Sequence, residues 1–201
     1  TSRGEQTRIG PPRAGAAYRL LTTTRRRLAS LLLVAALSIP ASAQETGYIN
    51  VGAGAFDFSE TEVLSALGVL QYFGGERIWG GGADSFFRGF GPTAGLYANT
   101  DGGVFGYGGF FFDIRLSERW TLLPQTGFGG YAEGDSKHLG GVFQTHSGFG
   151  LYYRLQDNSL LPDDTRIGVT AVHISNAGTS VRNPGANSIY ASLSFPLPPG
   201  F

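Results

Sequence analysis

From residue 48 onward the chain keeps returning to one pattern. Apolar side chains alternate with polar or very small ones over short stretches, and Gly, Asp, Asn or Pro separates each stretch from the next. A period of two places alternate residues on opposite faces of an extended strand, so the chain is committed to β-structure with two unlike faces. Eight such stretches can be marked: Tyr48–Phe58, Val63–Phe73, Pro92–Asn99, Val104–Ile114, Trp120–Tyr131, Phe143–Leu155, Thr165–Asn176 and Asn187–Phe195. Ile49, Val51, Ala53 and Ala55 alternate with Asn50, Gly52 and Gly54 in the first, and Phe143, Phe149 and Leu151 alternate with Gln144, His146, Gly148 and Gly150 in the sixth. The second and fourth alternate poorly. Most stretches have the roughly nine to eleven residues that a tilted membrane-crossing strand requires. Eight is also the smallest even strand number usual for outer-membrane barrels.

A soluble β-sandwich alternates in the same way, so the front of the chain has to discriminate. Residues 1–43 carry a net charge of +6 and the remainder −6, which cancel in the overall balance of zero. Arg25, Arg26 and Arg27 precede an apolar run from Leu28 to Ile39, followed by Pro40 and Ala41-Ser42-Ala43. A basic segment, a short apolar segment and a small-x-small site make a secretory signal, cleaved after Ala43. The apolar run falls short of the roughly 20 residues of a membrane-spanning helix. The chain holds no Met, so the residues up to Thr24 read as an overlong extension on a fragment or a misplaced start. There is no Cys, which removes disulfides and thiolate metal sites. The expectation is an all-β protein: a cleavable signal peptide within residues 1–43, then an eight-stranded antiparallel transmembrane β-barrel over 44–201. Periplasmic termini would send the odd strands outward. Residues 74–91 would be a long periplasmic connection with no assigned function. The basic front end is a targeting segment, so no nucleic-acid partner is expected.

The seventh stretch carries the chemistry. Ile167, Val169 and Ala171 share a face with His173 and Ser175, so an imidazole and a hydroxyl project from the lipid-facing wall at the outer end of the strand. Unpartnered polar groups facing lipid cost about 1–3 kcal/mol each. Two hydrated interfacial side chains would satisfy the same pattern. Asn187 adds weight, because it lies on the apolar face of the eighth stretch, at the end beside His173 and Ser175. A nucleophile, a base and an orienting group are what ester hydrolysis needs.

His173-Ile174-Ser175-Asn176-Ala177-Gly178, followed by Asn183-Pro184-Gly185 and a strand ending near Phe195-Pro196-Leu197, resembles the lipid A 3-O-deacylase family of PagL-type outer-membrane enzymes. Weaker matches are Pro92–Leu96, Trp120–Pro124, Gly134-Asp135 and Leu139–Gly141. The resemblance implies an eight-stranded barrel in the outer membrane of a Gram-negative bacterium that hydrolyses the 3-linked acyl ester of lipid A. It implies Ser175 as nucleophile, His173 as general base, and Asn176 and Asn183 as loop residues linked to oxyanion stabilisation. Lipopolysaccharide is the implied substrate and partner, with no cofactor and no metal; a homo-oligomer is left open. The chain departs from the family where Asn187 replaces the usual Glu, and where Gln144-Thr145-His146 replaces Glu-Phe-Arg. Asn187 can still accept a hydrogen bond from His173 but supplies no charge. Glu133 or Asp135, in an outer loop, could stand in for the acid. The alternative is a catalytically impaired member that binds lipid A or serves as a structural barrel.

Overall fold

A computed structural model describes residues 45–59, 65–156 and 160–198. The signal segment and its cleavage site lie outside the described residues. All described residues belong to the unit Ala41–Phe201. Eight strands follow in order: β1 Tyr48–Phe56, β2 Ser65–Phe73, β3 Phe87–Asn99, β4 Val104–Arg115, β5 Trp120–Ala132, β6 Phe143–Arg154, β7 Arg166–Ser175 and β8 Ala186–Pro196. Each pairs antiparallel with the next, and β1 closes on β8 through a register running from Tyr48↔Pro196 to Ala55↔Ile189. Closure leaves no free sheet edge, which is the condition for crossing a bilayer with strands.

The faces are those the alternation predicts. Val51, Leu70, Leu96, Phe110, Phe149, Val169 and Ile189 point outward and are exposed. Outward apolar side chains in such number exceed what a water-facing surface tolerates and form a lipid-facing wall. The inner face is less meagre than its glycines suggest. Tyr97, Phe105, Tyr107, Tyr131 and Tyr190 fill one level, and Tyr48, Phe73, Phe111 and Tyr152 the other. The inward glycines make room for these rings: a Cβ on Gly168 would sit 2.3 Å from the Tyr152 ring, and one on Gly95 2.4 Å from Tyr107. Gln71 ties the centre together, its Nε2 donating to the Tyr107 hydroxyl and to Gln125 Oε1, each at 2.6 Å, while its Oε1 accepts from the Tyr190 hydroxyl at 3.1 Å. His146 is inside, as expected, stacked on Tyr107 with ring centroids 4.1 Å apart.

β2 alternates poorly because Leu67 and Val69 belong to the inner aromatic level while Ala66 and Leu70 face outward. β3 begins five residues before the sequence expectation. A bulge between Phe87 and Gly89 breaks the period of two there, so the opening of the strand carries no alternation to read. The connection before it runs from Gly74 to Phe86 and folds back through a bridge between Trp79 and Phe90. Arg77 from this connection enters the barrel end, paired with Asp113 at 2.8 Å and donating to the Gly74 carbonyl at 2.6 Å.

Candidate active site

The candidate site lies at the barrel end formed by the β1–β2, β3–β4, β5–β6 and β7–β8 connections. The opposite end holds Glu45, Leu197 and the remaining connections. His173 on β7 and Asn187 on β8 are directly opposed in the ladder. Directly opposed residues carry their Cβ atoms about 4.5–5.5 Å apart, within reach of a hydrogen bond between long side chains. His173 Nδ1 lies 2.8 Å from Asn187 Oδ1. An amide oxygen only accepts, so Nδ1 carries the ring proton and Nε2 is the basic nitrogen. Gly185 packs against that nitrogen's edge of the ring. It has a φ of +64°, and a Cβ there would meet His173 Cε1 at 2.8 Å, so both its backbone and its contact require glycine.

Ser175 stands two residues beyond His173 on the same outward face, at the last position of β7. Its carbonyl accepts from Thr145 Oγ1 at 2.8 Å, which holds the strand end against β6. Among the described residues its hydroxyl makes no hydrogen bond, so the structure brings His173 to Asn187 but does not join Ser175 to His173. A shallow groove of about 190 Å³ opens on the wall between β6, β7 and the start of β8, lined by Phe58, Ser147, Phe149, Ala171, His173 and Asn187. Its surface is mostly carbon.

Asn176 and Asn183 hold the loop that follows β7. Asn176 Nδ2 donates to the carbonyls of Leu139, at 3.0 Å, and Arg182, at 2.6 Å, and its Oδ1 accepts from Gly178 N at 3.0 Å. Its own backbone N–H donates to Asn183 Oδ1 at 3.0 Å. Every donor of Asn176 is therefore used internally. Asn183 is exposed, and its Oδ1 holds the backbone of the residue that follows Ser175.

The carboxylates fall differently from the sequence expectation. Glu133 pairs with His138 in the outer loop, and the Asp135 backbone N–H bonds to the Asp101 carbonyl. The acid beside Asn187 is Asp57, at the turn that follows β1. It is fully buried, with Lys137 Nζ 2.7 Å from its Oδ2. Its Oδ1 accepts from the Asn187 backbone N–H at 3.1 Å and from the Ser59 hydroxyl at 3.2 Å. Ser59 Oγ in turn lies 3.0 Å from Asn187 Nδ2. The signal for Asp57 was available in the closure of the barrel, since the end of β1 must lie beside the start of β8. No group of three or more His, Cys, Asp or Glu suited to a metal occurs among the described residues.

Comparison with known proteins places these features in context. The sequence model of the family described as lipid A 3-O-deacylase (PagL) matches residues 46–196. The crystal structure of the outer membrane enzyme PagL superposes with a TM-score of 0.53 at 15% identity, covering 75% of this chain and 99% of that one. A de novo designed transmembrane β-barrel superposes with a TM-score of 0.45 at 14% identity, covering 79% of this chain and 100% of the design. No curated protein sequence matches the chain.

Proposed function

The chain belongs to the lipid A 3-O-deacylase (PagL) family, and on that premise we propose that it hydrolyses the 3-linked acyl ester of lipid A in the outer membrane, with Ser175 as nucleophile and His173 as general base. The observation that carries this reading is the His173–Asn187 hydrogen bond on the lipid-facing wall, which leaves Nε2 basic beside Ser175. In the reaction, Ser175 Oγ attacks the ester carbonyl while its proton passes to His173 Nε2. The tetrahedral oxyanion then collapses, the carbon–oxygen bond to the sugar breaks, and the departing 3-oxygen takes the proton from Nε2. Water, deprotonated by the same nitrogen, cleaves the acyl-enzyme to a fatty acid and restores Ser175. The carbon-lined groove beside His173 suits an acyl chain, whose ester would lie at the level of the strand ends. Asn183 Nδ2 is the side-chain donor best suited to the oxyanion, and Asn176 serves by holding the loop.

Ser175 and His173 need not be hydrogen-bonded before substrate arrives, since catalytic hydrogen bonds are commonly loose in the free enzyme. Asn187 fixes the imidazole but offers no charge to the imidazolium. A serine-protease triad loses roughly 10⁴ in turnover when its Asp becomes Asn, about 5 kcal/mol, much of it through the wrong tautomer. With the correct tautomer held, the loss here is smaller. The same substitution favours a second reading, a barrel that retains lipid A binding and has lost turnover.

The two readings separate on covalent labelling. The full chain, folded in detergent and treated with a fluorophosphonate bearing an alkyl chain, is expected to be labelled on the peptide containing Ser175, with labelling lost in His173→Ala. An unlabelled Ser175 in a folded barrel contradicts the hydrolytic reading.

A further inference from the structure

An asparagine in a catalytic hydrogen-bond chain has a weakness that a carboxylate lacks. A carboxylate presents an acceptor whichever oxygen faces the histidine. An amide presents an acceptor in one orientation and a donor in the other, and the donor orientation would force the proton onto His173 Nε2 and abolish the base. Something must hold the Asn187 amide the right way round.

The residues around Asn187 form a chain with one direction. Asp57 is buried and ion-paired with Lys137, so it remains an acceptor. Its Oδ1 is 3.2 Å from Ser59 Oγ, and a serine facing a carboxylate must spend its one proton on it. Ser59 Oγ is left with lone pairs only, 3.0 Å from the far end of the Asn187 side chain. That end must therefore be the Nδ2 donor, which turns Oδ1 toward His173 Nδ1 at 2.8 Å. The same Asp57 oxygen takes the Asn187 backbone N–H, and Asn187 O accepts from Phe58 N at 2.8 Å, so carboxylate, serine and amide are held in one frame. Asp57 reaches this place through a left-handed turn with a φ of +52°, which Asp tolerates better than most residues.

We propose that Asp57, acting through Ser59, fixes the orientation of the Asn187 amide and thereby selects the Nδ1-protonated tautomer of His173. Asp57 and Ser59 are positioning residues: neither touches substrate in this scheme, and the acid missing from position 187 acts from one hydroxyl and one amide away. The proposal rests on the hydrolytic reading for its purpose but not for its test.

The tautomer is measured directly by ¹⁵N NMR on the full chain, labelled at histidine and folded in micelles. The chain has three histidines, and the His173 signals are assigned by their loss in His173→Gln. The expected result is Nδ1–H for His173 in the unaltered protein, a shift of population toward Nε2–H in Ser59→Ala, and recovery of Nδ1–H in Ser59→Thr. An Nε2–H tautomer in the unaltered protein overturns the proposal whatever the variants do, as does a Ser59→Ala protein that keeps Nδ1–H. On lipid A, Ser59→Ala should lower kcat by about ten- to a hundredfold at unchanged KM, well short of the roughly 10⁴ of a locked wrong tautomer. In an Asn187→Glu background that penalty should shrink, because a carboxylate has no orientation to select; an undiminished penalty overturns the proposal. A correct tautomer response in a protein without deacylase activity would retain the relay and remove the hydrolytic reading.

Discussion

In the proposed mechanism a single side chain sets how well the imidazolium is stabilised. Asn187 accepts from His173 as the family's glutamate would, but a hydrogen bond from an imidazolium to a neutral amide is weaker than one to a carboxylate. The difference between neutral and charge-assisted bonds, about 1–2 kcal/mol, corresponds to about tenfold in rate. Asn187→Glu is therefore expected to raise kcat for deacylation by about tenfold, measured as fatty acid released from lipid A by the purified barrel. An unchanged or lower kcat would mean that the neutral orienter does not limit the rate. The outward placement of Ser175, His173 and Asn187 was legible from the sequence, because the period of two assigns all three to that face. Asp57 and Ser59 are not marked by that period: they sit about 130 positions from Asn187, and only the closure of β1 on β8 brings them beside it.

At the scale of the element, β7 and β8 matched their sequence expectations to within one residue at every end, because their two faces differ consistently. Gly168 and Thr170 are buried inside while Ile167 and Val169 face lipid. β3 and the 74–91 connection were the least legible, where a bulge and a returning loop replace regular pairing. The register of β7 also depends on what the inner face can hold. Tyr152 projects across Gly168, and its hydroxyl lies 3.1 Å from Thr170 Oγ1, so the ring is fixed at both edges. Gly168→Ala drives a methyl group into that buried ring and should cost about 1–3 kcal/mol of stability, the usual range for an overpacked core. A lower urea midpoint for unfolding of the barrel from lipid vesicles is the expected result. An unchanged midpoint would show that Tyr152 has room to move and that the inner packing is looser than its contacts imply.

Over the whole molecule, an all-β, eight-stranded barrel was readable from strand number, strand length and the two-faced pattern. The closed ladder from β1 to β8 gives that reading its geometry. Closure does more than remove sheet edges. It brings the first strand of the chain against the last, and so sets a buried carboxylate from one beside the amide of the other. It also leaves His173, Ser175 and Asn187 on the outward face, away from the filled interior. On the proposed function, that arrangement suits a substrate that itself resides in the membrane. Mass spectrometry of lipid A from cells producing either the intact protein or Ser175→Ala tests this most directly. The expected result is a lipid A lacking one 3-linked acyl chain with the intact protein and a fully acylated lipid A with the variant; identical acylation in the two, with both barrels folded in the outer membrane, would contradict it.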